Sequence, residues 1–176
     1  MSSLRSDAQT TTEATQTSYA KIFERMLSSA ERGENDKIEK AIDLIHPLIN
    51  RINIFFALKI EEKIKKAIES GEKREVVVAV QRFICFAITL LLTENIELTT
   101  DRSEITPRLR EAFAEYLVLD PYVRKIDFQI SQLMQNTFRK ANAQAGYKPE
   151  EFQSNCKEIV ILLEHLFQFQ SMDQEK

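Results

Sequence analysis

Residues 76–92 read VVVAVQRFICFAITLLL, and this stretch decides the fold class. A helix built from it carries apolar side chains on every side, and Gln81 and Arg82 are its longest polar side chains. A helix that is apolar all round has to be covered by neighbours on several sides. Because a transmembrane helix needs about 20 predominantly apolar residues, we expect a buried core helix here and no membrane insertion.

The segments on either side of this stretch repeat their apolar residues with the 3.6-residue period of an amphipathic helix. The predicted helices cover residues 17–32, 36–70, 73–94, 107–119, 121–143 and 149–170. The second is either one helix kinked at Pro47 or two helices in series, and the apolar stripes of the fourth and fifth include Leu117, Ile126 and Leu133. No segment alternates with period two. The sequence therefore predicts an all-α fold, a single-domain bundle of six to seven long helices.

The chain holds only 3 glycines and 4 prolines, and most of them lie near the predicted ends of helices. Each glycine follows an apolar-periodic segment, at Gly33, Gly71 and Gly146. A residue that tolerates positive φ is favoured at the end of a helix. Three prolines are predicted in the first turns of helices, where the missing N–H group would have no helical partner: Pro107, Pro121 and Pro149.

The two ends of the chain differ from its middle. Residues 1–17 are rich in Ser and Thr and contain no apolar core of a secretory signal, so we expect a disordered polar tail. Residues 18–170 form the predicted bundle domain, and residues 171–176 form a polar C-terminal tail. With no export signal, the expected compartment is the cytoplasm.

The charge balance argues against nucleic-acid binding. The chain has 24 Lys and Arg against 27 Asp and Glu, which gives a formal net charge of −3 and a pI of about 5.6. The densest basic stretch, residues 59–74, is interleaved with glutamates at the i,i+4 spacing that is typical of a solvated helix. We therefore expect no nucleic-acid partner.

Motifs of enzymes are nearly absent from the sequence. Three glycines cannot build a phosphate-binding fingerprint, and no GxSxG or HExxH sequence occurs. The nearest carboxylate pair, Glu111 and Glu115, has i,i+4 spacing and is interpreted as a solvated helix face. Cys85 and Cys156 lie in apolar helical patterns and are expected to be buried free thiols. The protein is therefore not expected to be an enzyme.

The two histidines are the weak candidates for cofactor binding. A di-iron bundle needs a Glu-x-x-His motif on two helices, and this chain offers one imperfect copy, Asp43 to His46, because Leu162 stands three residues before His165. Both histidines have apolar neighbours, as a haem or single-metal ligand can have. A histidine at the edge of an apolar stripe more often leaves one ring nitrogen in water. We predict no cofactor and no metal.

Some large apolar residues fall on the side of their helices opposite the main stripe. The residues predicted to bind a partner on this ground are Ile54, Phe55, Phe128 and Phe169. Either the core is wide enough to take both sides, or another chain covers them, as a protein partner or the second subunit of a homodimer.

Two functional hypotheses follow from the sequence, besides an enzyme whose carboxylates it does not place. The first is a non-catalytic interaction protein, an adaptor, scaffold or regulatory protein that acts through an apolar helix surface. The alternative is a ligand-binding or sensory bundle that holds an apolar molecule, haem or metal near His46 or His165.

Overall fold

The computed structural model of the protein describes residues 19–97 and 101–170. These residues form eight helices and no strand: α1 (19–32), α2 (Asn35–Leu44), α3 (His46–Phe56), α4 (Ile60–Glu69), α5 (Lys73–Glu97), α6 (Arg102–Ile126), α7 (Phe128–Gln144) and α8 (Pro149–Phe167). The all-α class is confirmed, but eight helices replace the six to seven that were predicted. The predicted tails, residues 1–17 and 171–176, lie outside the described residues.

The last four helices form an antiparallel bundle. Helix α5 packs against α6 and α8, and α7 packs against the same two helices, which closes a four-membered ring. On either side of the turn at Asp127, Asp120 of α6 meets Ser131 of α7. Asn155 of α8 likewise donates to Gln144 of α7 across the next turn. Both pairings require neighbouring helices that run in opposite directions.

Helix α5 is the core helix that residues 76–92 predict. Its side chains are buried almost without interruption between Phe83 and Leu90. Of the part of the chain that the structure describes, α5 is also the one helix long and apolar enough to cross a membrane, and 61% of its 18-residue apolar window is buried inside the protein. Its apolar surface is therefore covered mostly by the other helices.

The first four helices form a layer against this bundle, in which α3 and α4 pack on α5. The Phe23 ring of α1 meets the Phe83 ring of α5 edge to face, with centroids 5.2 Å apart. A Cβ atom at Gly33, just beyond α1, would come within 2.9 Å of the Lys73 side chain at the start of α5. Phe23, early in α1, meets Phe83 in the middle of α5, and Gly33, after the end of α1, meets Lys73 at the start of α5. The two helices are therefore antiparallel. Helix α1 therefore runs in the same direction as α6.

The prolines behave in two ways. Pro47 lies in the first turn of α3, and the chain breaks between α2 and α3 just before it. Of the two predicted alternatives, two helices in series is therefore confirmed at this point. The prediction that Pro107 and Pro121 begin helices is wrong, because both lie inside α6. A proline in a helix interior removes one hydrogen bond and destabilises the helix by about 3 kcal/mol. The long buried face of α6 outweighs that loss.

Aspartates, not prolines, mark the beginnings of α6 and α7. The Asp101 carboxylate accepts a hydrogen bond from the Ser103 backbone N–H at 2.9 Å. The Asp127 carboxylate accepts one from the Gln129 N–H at the same distance. These are N-cap contacts, which satisfy N–H groups that have no partner inside the helix.

The predicted helix over residues 36–70 is three helices, because the chain also breaks after α3. Ala57 has a φ of 54°, in the left-handed region. The Asn53 carbonyl accepts from the Leu58 N–H, and its side-chain oxygen accepts from the Ile60 N–H, each at 2.9 Å. No glycine or proline marks this turn, which is why the sequence did not predict it.

The three glycines do end their helices, with φ values of 72°, 75° and 77° at Gly33, Gly71 and Gly146. At Gly146 a side chain is excluded for a second reason, since a Cβ atom there would lie 2.8 Å from the Cβ atom of Arg102. The turn between α7 and α8 therefore lies directly against the start of α6.

Candidate functional site: the groove between α1 and α6

An open groove of about 510 Å³ runs between α1 and α6 on the surface of the protein. Leu27 of α1 and Val118 and Tyr122 of α6 contribute its apolar lining. Leu117 also lines it, with 44% of its surface exposed. Both signs of charge line the same groove, and the charged residues are Lys21, Glu24, Glu31 and Lys125. The groove is therefore an apolar channel with charged sides.

One hydrogen bond fixes the two helices at one end of the groove. The Tyr122 hydroxyl donates to the Glu31 carboxylate across a distance of 2.6 Å. Burial raises the pKa of Tyr122 above its ordinary value, and the charge of Glu31 adds to this effect. The tyrosine therefore stays a neutral donor. Small residues, including Ala20 and Ala114, line the rest and leave the space open.

Exposure of Leu117 corrects one prediction, since it was expected on the apolar stripe of residues 107–119, as Ile126 and Leu133 were on the stripe of residues 121–143. All three are exposed. The buried face of α6 instead carries Leu109, Ala112, Tyr116, Leu119 and Val123. The predicted helix over residues 121–143 is broken at Asp127. Ile126 is therefore the last residue of α6 and does not share the apolar stripe of α7.

Three of the four residues predicted to bind a partner are exposed. Ile54 has 75% of its surface exposed, and its neighbour Phe55 is half exposed at the end of α3. Phe128 is exposed at the first position of α7. Helix α3 packs on α5 and α4, whereas α7 packs on α6 and α8. The structure thus places these residues on two different helices, and their binding of a partner stays a prediction.

The fourth, Phe169, is buried, which fits the alternative of a core that takes both sides and leaves it no surface for a partner in this structure. Only 1% of its surface is exposed, and its ring lies edge to face on Phe86 with centroids 4.9 Å apart. Helix α8 ends at Phe167, and Gln168, with a φ of 49°, turns the chain back. Extrapolating the helical phase past Phe167 therefore put Phe169 on the wrong side.

The two histidines both lie on the surface. The His46 Nδ1 atom is 2.8 Å from a carboxylate oxygen of Glu61, and His165 is exposed in the last turn of α8. Neither lines the α1–α6 groove. Among the described residues, no three His, Cys, Asp or Glu side chains are grouped so as to hold a metal ion. The structure does not bring the cofactor candidates together at a buried site.

The interpretation of Glu111 and Glu115 as a solvated face is wrong. Glu115 has 1% of its surface exposed, and its Oε2 atom has no hydrogen-bond partner among the described residues. Burial raises the pKa of the Glu115 carboxyl well above its usual value, and the charge of Glu111 raises it further. A carboxyl group in this position favours its neutral form.

An ion network lies beside this buried carboxyl and joins three helices. Glu94 of α5 pairs with Arg51 of α3, and a second oxygen of Glu94 lies 4.0 Å from Nε of Arg108 on α6. Burial raises the pKa of Glu111, because it outweighs the attraction from Arg51. The network holds the α1–α4 layer to the bundle, but the Glu115 carboxyl is closed to any substrate in this conformation.

Both cysteines are free and buried, as predicted. Burial raises the pKa of Cys156 to about 12, and it raises the pKa of Cys85 well above the ordinary value. Because the thiolate is the reactive form, burial disfavours the reactive form of both side chains.

Comparisons with known proteins identify no relative. No protein family matches the chain, and no curated protein or solved structure matches it.

Sequence reasoning missed the groove because it depends on how two helices meet. The sequence predicted a helix over residues 17–32 and placed Leu117 on the apolar stripe of the helix over residues 107–119. The exposed charges of α1, such as Lys21 and Glu24, gave no sign that they would flank an apolar channel. Only the parallel packing of α1 beside α6 reveals it.

Proposed function

We propose that the protein is a non-catalytic interaction module, an adaptor or regulatory protein, whose α1–α6 groove binds an α-helix of a protein partner. The observation that supports this proposal is the open apolar groove of about 510 Å³ with the exposed Leu117 on it. Recognition of an amphipathic helix in an apolar groove is a common mode of protein interaction.

The dimensions of the groove suit a helix. Its lining on α1 extends from Ala20 to Glu31, which is about 16 Å at the rise of an α-helix. That length accommodates three turns of a partner helix, with apolar anchors at every third or fourth residue. The charged sides suit the polar flanks of such a helix, whereas a small apolar ligand would leave them without partners.

The exposed pair Ile54 and Phe55 supports the same class of function at a second surface. The Phe55 ring packs on Phe56, and Phe56 packs on the core residue Phe86, with ring centroids about 5 Å apart in each pair. Phe55 is therefore held in place by the core while half of its surface remains exposed. With Phe128 it remains a proposed contact for a protein partner.

The alternatives gain less support from the described residues. A haem or metal bundle would need His46 or His165 near a cavity, and both side chains are exposed outside the groove. An enzyme that uses Glu115 would need a path to a carboxyl that is almost fully buried. We therefore retain the interaction module as the proposal and no second function beside it.

Site-specific photo-crosslinking in cells tests the proposal. A benzophenone amino acid replaces Leu117 in one variant and Ile161 in a control, which has 66% of its surface exposed on α8 away from the groove. We expect a discrete protein adduct of definite mass at position 117 and none of that mass at position 161. Adducts of the same pattern at both positions, or none at position 117, would contradict the proposal.

A further inference from the structure

We propose that the helix bound in the α1–α6 groove is α1 of a second copy of this chain, packed antiparallel across a two-fold axis. This inference depends on the proposed function, since it names the partner of the same groove.

The outward face of α1 carries Lys21, Glu24, Ser28 and Glu31, all of which line the groove. At 100° per residue these four fall within about 80° of the helix circumference. Met26 is buried on the opposite side. A two-fold axis at the level of Met26 therefore passes through the centre of this face.

With such an axis, a residue that lies a given number of positions before Met26 faces the residue the same number of positions after Met26 in the second copy. Lys21 then lies opposite Glu31 of the second copy, and Glu24 lies opposite Ser28 of the second copy. The arrangement occurs twice in the dimer, which gives two Lys–Glu pairs and places no two like charges directly opposite each other along α1. Electrostatic complementarity of this kind selects a partner and fixes its register.

Helix α6 supplies the apolar part of the same contact. Because α1 and α6 are parallel and Tyr122 meets Glu31, Leu117 lies beside the middle of α1, close to the proposed axis. Its exposed side chain and that of the second copy then lie on either side of the axis. A self-complementary patch of this kind is what a two-fold dimer requires.

A charge exchange within α1 tests the proposal in the full chain. Lys21→Glu and Glu31→Lys are each expected to raise the dimer dissociation constant about tenfold, because each introduces like-charged pairs across the axis. The double variant restores the opposite charges and is expected to return the constant to within about threefold of the parent. Lys21 and Glu31 are about 15 Å apart along one helix, so rescue cannot come from a contact within one chain.

Light scattering at micromolar concentration gives the dissociation constants, with the parent expected at twice its 20.4 kDa chain mass. Tyr122→Phe controls for the hydrogen bond that Glu31→Lys also removes. Leu117→Arg is expected to give a monomer, and Ile161→Arg to leave the dimer unchanged.

The outcomes separate this inference from the proposed function. A monomeric parent, or a double variant as weak as the single variants, overturns the second copy as partner. If the crosslink at position 117 then joins a different protein, the interaction function stands without the dimer. If position 117 forms no adduct, both fail.

Discussion

The Tyr116 hydroxyl donates a hydrogen bond of 2.7 Å to the Asp120 carboxylate, one turn further along α6 and buried with it. The same carboxylate accepts from the Ser131 hydroxyl of α7 at 2.8 Å and from the Arg124 Nε at 2.6 Å. Burial raises the pKa of Asp120, but these hydrogen bonds and the charge of Arg124 outweigh it, and the net pKa is lowered. Asp120 is thus a satisfied buried charge that joins α6 to α7.

Removing this carboxylate should destabilise the protein. Asp120→Ala leaves the hydroxyls of Tyr116 and Ser131 buried without an acceptor, and each such loss amounts to about 1–3 kcal/mol. We expect the free energy of unfolding, measured in urea, to fall by about 2–4 kcal/mol. Asp43→Ala, at an exposed site on α2, should change it by less than about 0.5 kcal/mol. Equal effects of the two substitutions would show that the network contributes no net stability.

The buried carboxyl of Glu115 should make stability fall as the pH rises. Its pKa is raised in the folded state, so the folded protein holds a proton that the unfolded chain releases above its ordinary pKa of about 4.3. The free energy of unfolding is therefore highest below that pH. It falls by about 1.4 kcal/mol per pH unit as the pH rises from the unfolded-state pKa to the raised folded-state pKa. Glu115→Gln should remove this slope.

The measurement is urea unfolding between about pH 5 and pH 8, with Glu158→Gln on the exposed side of α8 as the control. The control should keep the slope of the parent. A Glu115→Gln curve parallel to that of the parent over this range would mean that the carboxyl is ionised in the folded protein.

The buried carboxyl of Glu115 shows what the sequence could and could not predict. Local sequence predicted α1 and α8 from their apolar stripes and α5 from its apolar residues on every side, because these patterns depend on near neighbours in the chain, although α8 ends at Phe167 and not at residue 170. It could not predict that Glu115 is buried, since burial of that side of α6 depends on packing against residues distant in the chain. The exposure of Leu117 was missed for the same reason, since it depends on how α1 packs beside α6.

Phe169 and Phe128 offer a matched comparison of a buried and an exposed ring. Phe169→Ala removes a ring that packs on Phe86 and should lower the free energy of unfolding by about 3–5 kcal/mol. Phe128 has 57% of its surface exposed, and Phe128→Ala should change the stability by less than about 1 kcal/mol. Thermal or urea unfolding of the two variants distinguishes them. If Phe169→Ala were as mild as Phe128→Ala, the chain after α8 would not be part of the core.

A charge in the middle of α5 should unfold the protein. Ile84 is fully buried, so Ile84→Asp places an unpaired carboxylate where no water reaches it, at a loss of several kcal/mol. Ile161→Asp introduces the same charge on the exposed side of α8 and should leave the melting temperature near that of the parent. Circular dichroism against temperature measures both. A folded Ile84→Asp variant with an unchanged melting temperature would place α5 at the surface.

The glycines and prolines show where local rules hold and where packing overrides them. Gly33 and Gly146 end helices because only glycine takes a positive φ without strain, and this preference is local. Pro107 and Pro121 carry an equally local preference for the first turn, yet they lie inside α6. The buried face of that helix is continuous through both prolines, and it is formed with residues far away in the chain.

The position of Pro121 in α6 leaves one backbone acceptor of that helix without its regular donor. In a regular helix the carbonyl of Leu117 would accept from the N–H group four residues later, but that residue is Pro121, which has none. Both residues line the groove. The groove therefore has on its wall a residue, Leu117, whose backbone oxygen lacks its regular helical donor. In the proposed complex, a hydroxyl or amide on the bound helix would be the donor to this oxygen, and that bond would give the contact a direction that apolar packing alone does not supply.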